Sequence, residues 1–213
     1  MKTEKASLIL ILLIFFVSCI YRGDDKNDPI SAQIFYTILQ PRSILIIGDS
    51  LTERSGGFFL HEFSHPDTRI FYKGIVSSDF LEWRFRMNEA FAMESFPDQV
   101  IVALGTNDAY KFNLDIFKIN FEQFHSQLRL ITSAEIYYIL VPLTIEPQLT
   151  TVIQKQNQFL RNSPPPGIAG LIDAESAFLN APTVTPLYLH DIIHPTDDGY
   201  RLIGFTISRS INL

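Results

Sequence analysis

The sequence predicts an α/β domain in which a parallel, five-stranded sheet is covered by helices on both faces. Three observations carry this reading. Five nearly continuous apolar runs lie at residues 43–47, 70–72, 99–104, 135–141 and 169–172, the pattern of strands buried on both sides. Segments with helical spacing fill the intervals and the end, at 57–63, 79–91, 115–132, 150–161 and 196–210. Strands and helices therefore alternate, and right-handed crossovers between parallel strands place helices on both sheet faces.

The chain opens differently. Lys2 and Lys5 precede ten uninterrupted apolar residues, 8–17, and a polar stretch begins after Cys19. Ten helical residues rise about 15 Å, half of a hydrocarbon core of about 30 Å, so residues 1–18 read as a cleaved export signal and not as a membrane span. Phe16-Val17-Ser18-Cys19 resembles a bacterial lipoprotein cleavage box, with Phe16 where such boxes usually carry Leu. The resemblance implies that Cys19 is lipid-modified and anchors the mature chain to a membrane of the cell envelope, on its periplasmic or surface face. Residues 19–41 read as a tether, polar as far as Asp28 and bounded by Pro29 and Pro41, and 42–213 as the folded domain.

Within the domain, the strand at 43–47 is followed by Gly48-Asp49-Ser50-Leu51 and the strand at 99–104 by Gly105-Thr106-Asn107-Asp108. The helix at 115–132 has Ile116, Ile119, Phe124, Leu128 and Ile131 on one apolar face. Ser163-Pro164-Pro165-Pro166-Gly167 is a stiff connection to the last strand, and His190-Asp191-Ile192-Ile193-His194-Pro195 precedes the last helix. Trp83 and the phenylalanines read as core or helix–sheet packing.

Composition narrows the chemistry. The 213 residues are 46% hydrophobic, enough for a substantial core. With 17 Lys+Arg against 23 Asp+Glu the net charge is −6, and no basic stripe is present to follow a phosphate backbone, which argues against nucleic acid as a partner. A single cysteine permits neither an intrachain disulfide nor a cysteine zinc cage.

In parallel α/β sheets, chemistry collects beyond the carboxyl ends of the strands, where the three polar loops fall. A serine hydroxyl attacks only when a base takes its proton, and His194 is a base of the right type if an acid fixes its tautomer. Asp191, three residues earlier, is placed to do so. The Asn107 amide and the Ser50 backbone N–H are candidate donors to an oxyanion.

Gly48-Asp49-Ser50-Leu51, Gly105-Thr106-Asn107-Asp108 and Asp191-x-x-His194-Pro195, in that order, resemble the SGNH hydrolases, also called GDSL esterases. The resemblance spans about residues 43–212. It implies a three-layer α/β/α, flavodoxin-like fold and hydrolysis of carboxylic esters, acyl or acetyl, without metal or cofactor. Ser50 is then the nucleophile, with Asp191 and His194 as its acid and base; Asn107 and the Ser50 N–H serve the oxyanion hole. Glycan or lipid esters of the envelope are the substrates this implies. One block departs from the family pattern. Where the family has Gly-Ile-x-Gly, whose second glycine gives an oxyanion N–H, this chain reads Gly74-Ile75-Val76-Ser77. Ser77 keeps the donor only if it adopts the local backbone conformation, which is costly for serine at positive φ.

Two other classes compete. A ligand-binding surface lipoprotein with a degenerate hydrolase fold would explain Ser77, but not the joint presence of Ser50, Asn107, Asp191 and His194. His61-Glu62-Phe63-Ser64-His65 is a literal H-E-x-x-H zinc spacing. Pro66 biases His65 away from helix, and no third ligand is evident. His190, Asp191 and His194 also have ligand spacing, but His125 lies on an amphipathic helix without a metal-site partner. No metal is assigned.

Overall fold

The computed structural model describes residues 42–181, 187, 188, 191 and 193–213. The export segment, Cys19, the tether and His190 fall outside the described residues.

The strands are β1 (Ser43–Gly48), β2 (Arg69–Gly74), β3 (Gln99–Ala103), β4 (Glu135–Ile139) and β5 (Gly170–Ile172). They form one parallel sheet in the order β2-β1-β3-β4-β5. Connections leave β1 toward β2 on one side and return to β3 on the other, which opens a crevice at the carboxyl ends of β1 and β3.

The pleat sends alternate side chains to opposite layers. Leu45, Ile47, Val100, Val102, Ile136 and Tyr138 join one buried cluster with Phe80, Trp83, Phe117, Phe121, Phe124 and Leu128. Ile44, Ile46, Ile101, Ile139 and Ile172 join the other with Phe58, Phe178, Tyr200, Ile203 and Ile207. Helices α2 (Phe80–Trp83), α3 (Met87–Phe91) and α5 (Leu114–Ile131) serve the first layer; α7 (Ala174–Leu179) and α8 (Asp197–Ser210) serve the second. The three-layer expectation holds.

Several helices differ from the sequence reading. Residues 57–63 yield only a 3-10 turn, Leu60–Phe63, because Phe58 and Phe59 take left-handed φ of 63° and 52°. The expected helix at 79–91 is broken between α2 and α3. Three short helices were not read from periodicity: α1 (Ser50–Arg54), α4 (Thr106–Lys111) and α7. Each spans under two turns, too few residues for an apolar repeat to register. The helix at 150–161 starts earlier, as α6 (Pro147–Asn162), with the Glu146 side chain capping Leu149 N–H and proline in its first turn.

The face of α5 is also corrected. Ile116, Ile119 and Ile131 are 41–48% exposed, whereas Phe117, Phe121, Phe124 and Leu128 are buried. The sequence contains two overlapping apolar stripes, and the aromatic one wins by packing around Phe80. Ring centroids of Phe117, Phe121 and Phe124 stand 5.9, 5.3 and 5.2 Å from that of Phe80, all edge to face. Phe80 is thus the nail between α2, α5 and the sheet. Phe80→Ala is expected to lower the unfolding free energy by about 3–5 kcal/mol, read as a fall in the urea midpoint without loss of cooperativity.

Candidate active site

Ser50 stands at the first turn of α1, directly beyond β1. Asp49 caps that helix: its Oδ1 accepts the Leu51 N–H at 2.9 Å and its carbonyl accepts from Glu53 N at 3.1 Å. The turn is tight because Gly48 has no side chain. A Cβ there would lie 1.9 Å from Thr52 Oγ1 and 2.9 Å from the Ala103 carbonyl.

Ser50, Asp191 and His194 come together across the carboxyl edge of the sheet. Ser50 Oγ lies 2.8 Å from His194 Nε2, and His194 Nδ1 lies 2.5 Å from Asp191 Oδ2. The carboxylate fixes the Nδ1–H tautomer, leaving Nε2 to accept the serine proton. Asp191 Oδ1 accepts backbone N–H groups from His194 at 3.0 Å and Ile193 at 3.3 Å. Burial works against its charge, but these bonds and the ring contact together hold its carboxyl below the usual range. Arg54, from the end of α1, reaches Asp191 Oδ2 at 3.3 Å. Beyond His194 the chain is pinned by a Tyr188–Pro195 bridge and by Thr196 N–H on the Leu187 carbonyl at 2.7 Å. Gly199 permits that approach, since a Cβ would meet the Leu187 carbonyl at 2.6 Å.

Ser77 occupies a left-handed conformation, φ 62°, which costs a serine about 1 kcal/mol. It is the third residue of a turn closed by Ser78 N–H on the Ile75 carbonyl at 3.1 Å. The N–H groups of Ser50 and Ser77 have no acceptor among the described residues. Asn107 differs. Its Nδ2 donates to Asp49 Oδ2 at 3.2 Å and to the Ser78 carbonyl at 2.9 Å, so both amide protons are engaged within the protein. It ties the Asp49-Ser50 turn to the Ser77 turn.

The H-E-x-x-H residues do not converge. Glu62 pairs with Arg201 at 3.0 Å, and His65 Nδ1 accepts from Asp67 N–H at 3.3 Å. No cluster of three or more His, Cys, Asp or Glu able to hold a metal occurs among the described residues. His125 is buried between the Tyr138 hydroxyl and the Pro166 carbonyl, 2.9 and 3.0 Å away, and burial lowers its basicity.

Sequence reasoning gave no role to Asp49 or Lys111, and placed Trp83 only in packing. Trp83 Nε1 donates to the Gly48 carbonyl at 3.1 Å and Ser78 Oγ at 2.9 Å, so it braces both turns. Lys111 donates to the Ser77 carbonyl at 2.6 Å and Asp79 Oδ2 at 2.8 Å. The detectable signal for Asp49 was its position before a helix start, a capping signature. Contacts as distant as Lys111–Ser77 leave none.

Asp49 is fully buried, and burial pushes its carboxyl up to about 7 against hydrogen bonds from Leu51, its own backbone and Asn107. Asp108, also buried, is raised by burial and then by the charges of Asp79 and Asp49. For Asp49 the folded state holds its proton more tightly than the unfolded chain, whose carboxyl titrates near 3.8. Stability from this group is therefore greatest at low pH, falls as pH rises from about 4 to about 7, and is level above. Asp49→Asn, which retains a capping acceptor, is expected to lose about 2–3 kcal/mol less stability than the parent between pH 5 and pH 8, measured by urea unfolding at both pH values.

No protein-family profile and no curated sequence matches the chain. Solved structures do. The lipase/acylhydrolase from Enterococcus faecalis superposes with a TM-score of 0.67 at 21% identity, covering 80% of this chain and 95% of that one. A member of the lipolytic protein G-D-S-L family from Veillonella parvula gives 0.67 at 15% identity, over 79% and 97%. The C-terminal catalytic domain of Streptococcus pneumoniae peptidoglycan O-acetyltransferase A gives 0.61 at 16%, over 81% and 93%. With its strand order and the position of Ser50 beyond β1, the chain has the α/β/α fold of the G-D-S-L, or SGNH, lipolytic proteins.

Proposed function

We propose that this protein is a serine hydrolase that cleaves carboxylic esters, acyl or acetyl, through an acyl-enzyme on Ser50. The observation that carries the reading is the continuous chain from Ser50 Oγ through His194 to Asp191, with steps of 2.8 and 2.5 Å. The fold shared with a lipase/acylhydrolase supports it.

His194 Nε2 takes the Ser50 proton as Oγ bonds to the ester carbonyl carbon. Negative charge moves to the carbonyl oxygen, where the unengaged N–H groups of Ser50 and Ser77 supply donors. Asn107 adds a third by redirecting the proton now given to Asp49 over 3.2 Å. Collapse breaks the bond to the leaving alkoxide, which takes the proton from His194. A water activated by the same nitrogen then hydrolyses the acyl group and returns the proton to Ser50. Asp191 stays ionised throughout, and its lowered pKa suits that role.

A purely binding role would rest on loss of the Ser77 donor. The left-handed conformation of Ser77 weighs against it. Export and lipid anchorage through Cys19 complete the proposal and bring the enzyme to envelope esters.

The full chain, treated with a fluorophosphonate ester, is expected to gain one adduct on the Ser50 peptide by mass spectrometry. Labelling should survive chelators and vanish in His194→Ala, and Asp191→Asn should slow it by about 10²–10⁴. A folded protein that takes no label at Ser50 would overturn the reading. For the anchor, labelled fatty acid fed to expressing bacteria should enter the parent and not Cys19→Ala; equal incorporation in both would remove Cys19 from the proposal.

A further inference from the structure

Lys111 ends α4, one turn after Asn107, and the two side chains therefore share a helix face. Its ammonium group donates to the Ser77 carbonyl at 2.6 Å and to Asp79 Oδ2 at 2.8 Å, with Glu82 Oε2 3.6 Å away. Asp79 is itself fixed. Its Oδ1 caps α2 by accepting the Glu82 N–H at 2.9 Å, and the residue is 2% exposed. The ammonium is thus held by a rigid carboxylate and presses on the carbonyl of the one residue in this turn that departs from its favoured backbone region.

Ser77 is exposed and left-handed, a conformation that glycine takes without strain and serine does not. Rotating out of it would swing both the carbonyl that Lys111 grips and the amide plane before it. The Lys111 bond acts on one peptide group of Ser77; the N–H that has no acceptor belongs to the other. A clamp on the first fixes the direction of the second, because both are set by the φ and ψ of Ser77.

We propose that Lys111 is a positioning residue for the oxyanion site: by holding the Ser77 carbonyl against Asp79, it keeps a serine in the left-handed turn where its N–H stays available to the reaction. The inference rests on the hydrolase reading above. It assigns to a surface lysine the task that a glycine at position 77 would make unnecessary. Burial alone would lower the lysine's basicity, but its bond to Asp79 and the charges of Asp79 and Glu82 more than offset this, so the clamp stays charged.

The test is a double-mutant cycle on the full chain, Lys111→Met with and without Ser77→Gly, each Lys111 variant compared with its own parent. The readout is fluorophosphonate inactivation, separated into its maximal rate and its half-saturating concentration. With Ser77 present, Lys111→Met is expected to lower the maximal rate about tenfold and to move half-saturation less than about twofold, since the donor matters in the transition state. Lys111→Arg, which keeps charge and donors, should recover most of the rate. With Ser77→Gly the Lys111→Met penalty should shrink below about threefold, because glycine holds the turn unaided. Asp79→Asn retains the helix cap while weakening the grip on Lys111; it should show the same dependence on Ser77 and carries the test if Lys111→Met does not fold. Equal penalties in both backgrounds, with Ser50 still labelled, would overturn the role of Lys111 alone. Failure of the parent to label at Ser50 would overturn the hydrolase reading and this inference with it.

Discussion

The carbonyl group of Gly48 is the point on which the site depends. It ends β1, accepts the Ile75 N–H at 3.1 Å and the Trp83 indole N–H at 3.1 Å, and stands directly before the turn that carries Ser50. Three chain segments distant in sequence are thereby tied to one oxygen. A side chain at Gly48 would collide with Thr52 and with the Ala103 carbonyl of β3, so the tightness of the turn and the gathering of its neighbours share one cause. The buried indole and the Ile75 N–H are satisfied here by an arrangement that also holds the Ser77 turn close to Ser50.

Around that point the protein accepts unfavourable terms. Asp49 and Asp108 are buried, and burial raises both carboxyls far above their solvent values. Their hydrogen bonds have structural returns: Asp49 caps α1, and Asp108 accepts the Phe80 N–H at 3.3 Å at the start of α2. The residue that anchors the largest aromatic cluster is thus positioned by a carboxylate of the site. Packing and site geometry are coupled through Phe80. The left-handed Ser77 adds strain on the opposite side, and Lys111 with Asp79 forms the local counterweight. Strain of this kind persists where surrounding contacts overdetermine the backbone.

Legibility varied with the range of the interaction. The strands were readable to within two residues at each end, because strands covered on both faces are continuous apolar runs. Long helices were readable too, although α5 buries Phe117 and Phe121 beside Phe124 and Leu128 in place of the expected Ile116, Ile119 and Ile131. Hydrophobic periodicity does not rank two stripes of similar content; ring packing against Phe80 does. Ser50, Asp191 and His194 were legible as residue types in loops of the right order. Asn107 was legible as a polar residue beyond β3, but not as the tie between Asp49 and Ser78, since an amide's partners follow from where three loops meet.

By itself the sequence determined the alternation of elements and hence the parallel sheet, since apolar runs and helical periods are local properties of the chain. It also determined which loops hold Ser50, Asp191 and His194. Tertiary structure alone decided the rest. The strand order sets β1 beside β3 and so brings residues 49 and 107 together. The 2.8 Å approach of Ser50 to His194 closes a separation of 144 residues. The carbonyl of the left-handed Ser77 is bonded by a lysine 34 positions away, and no local rule relates the two. Backbone preference is written in neighbouring residues, whereas the forces that override it come from side chains that only the folded chain brings into contact.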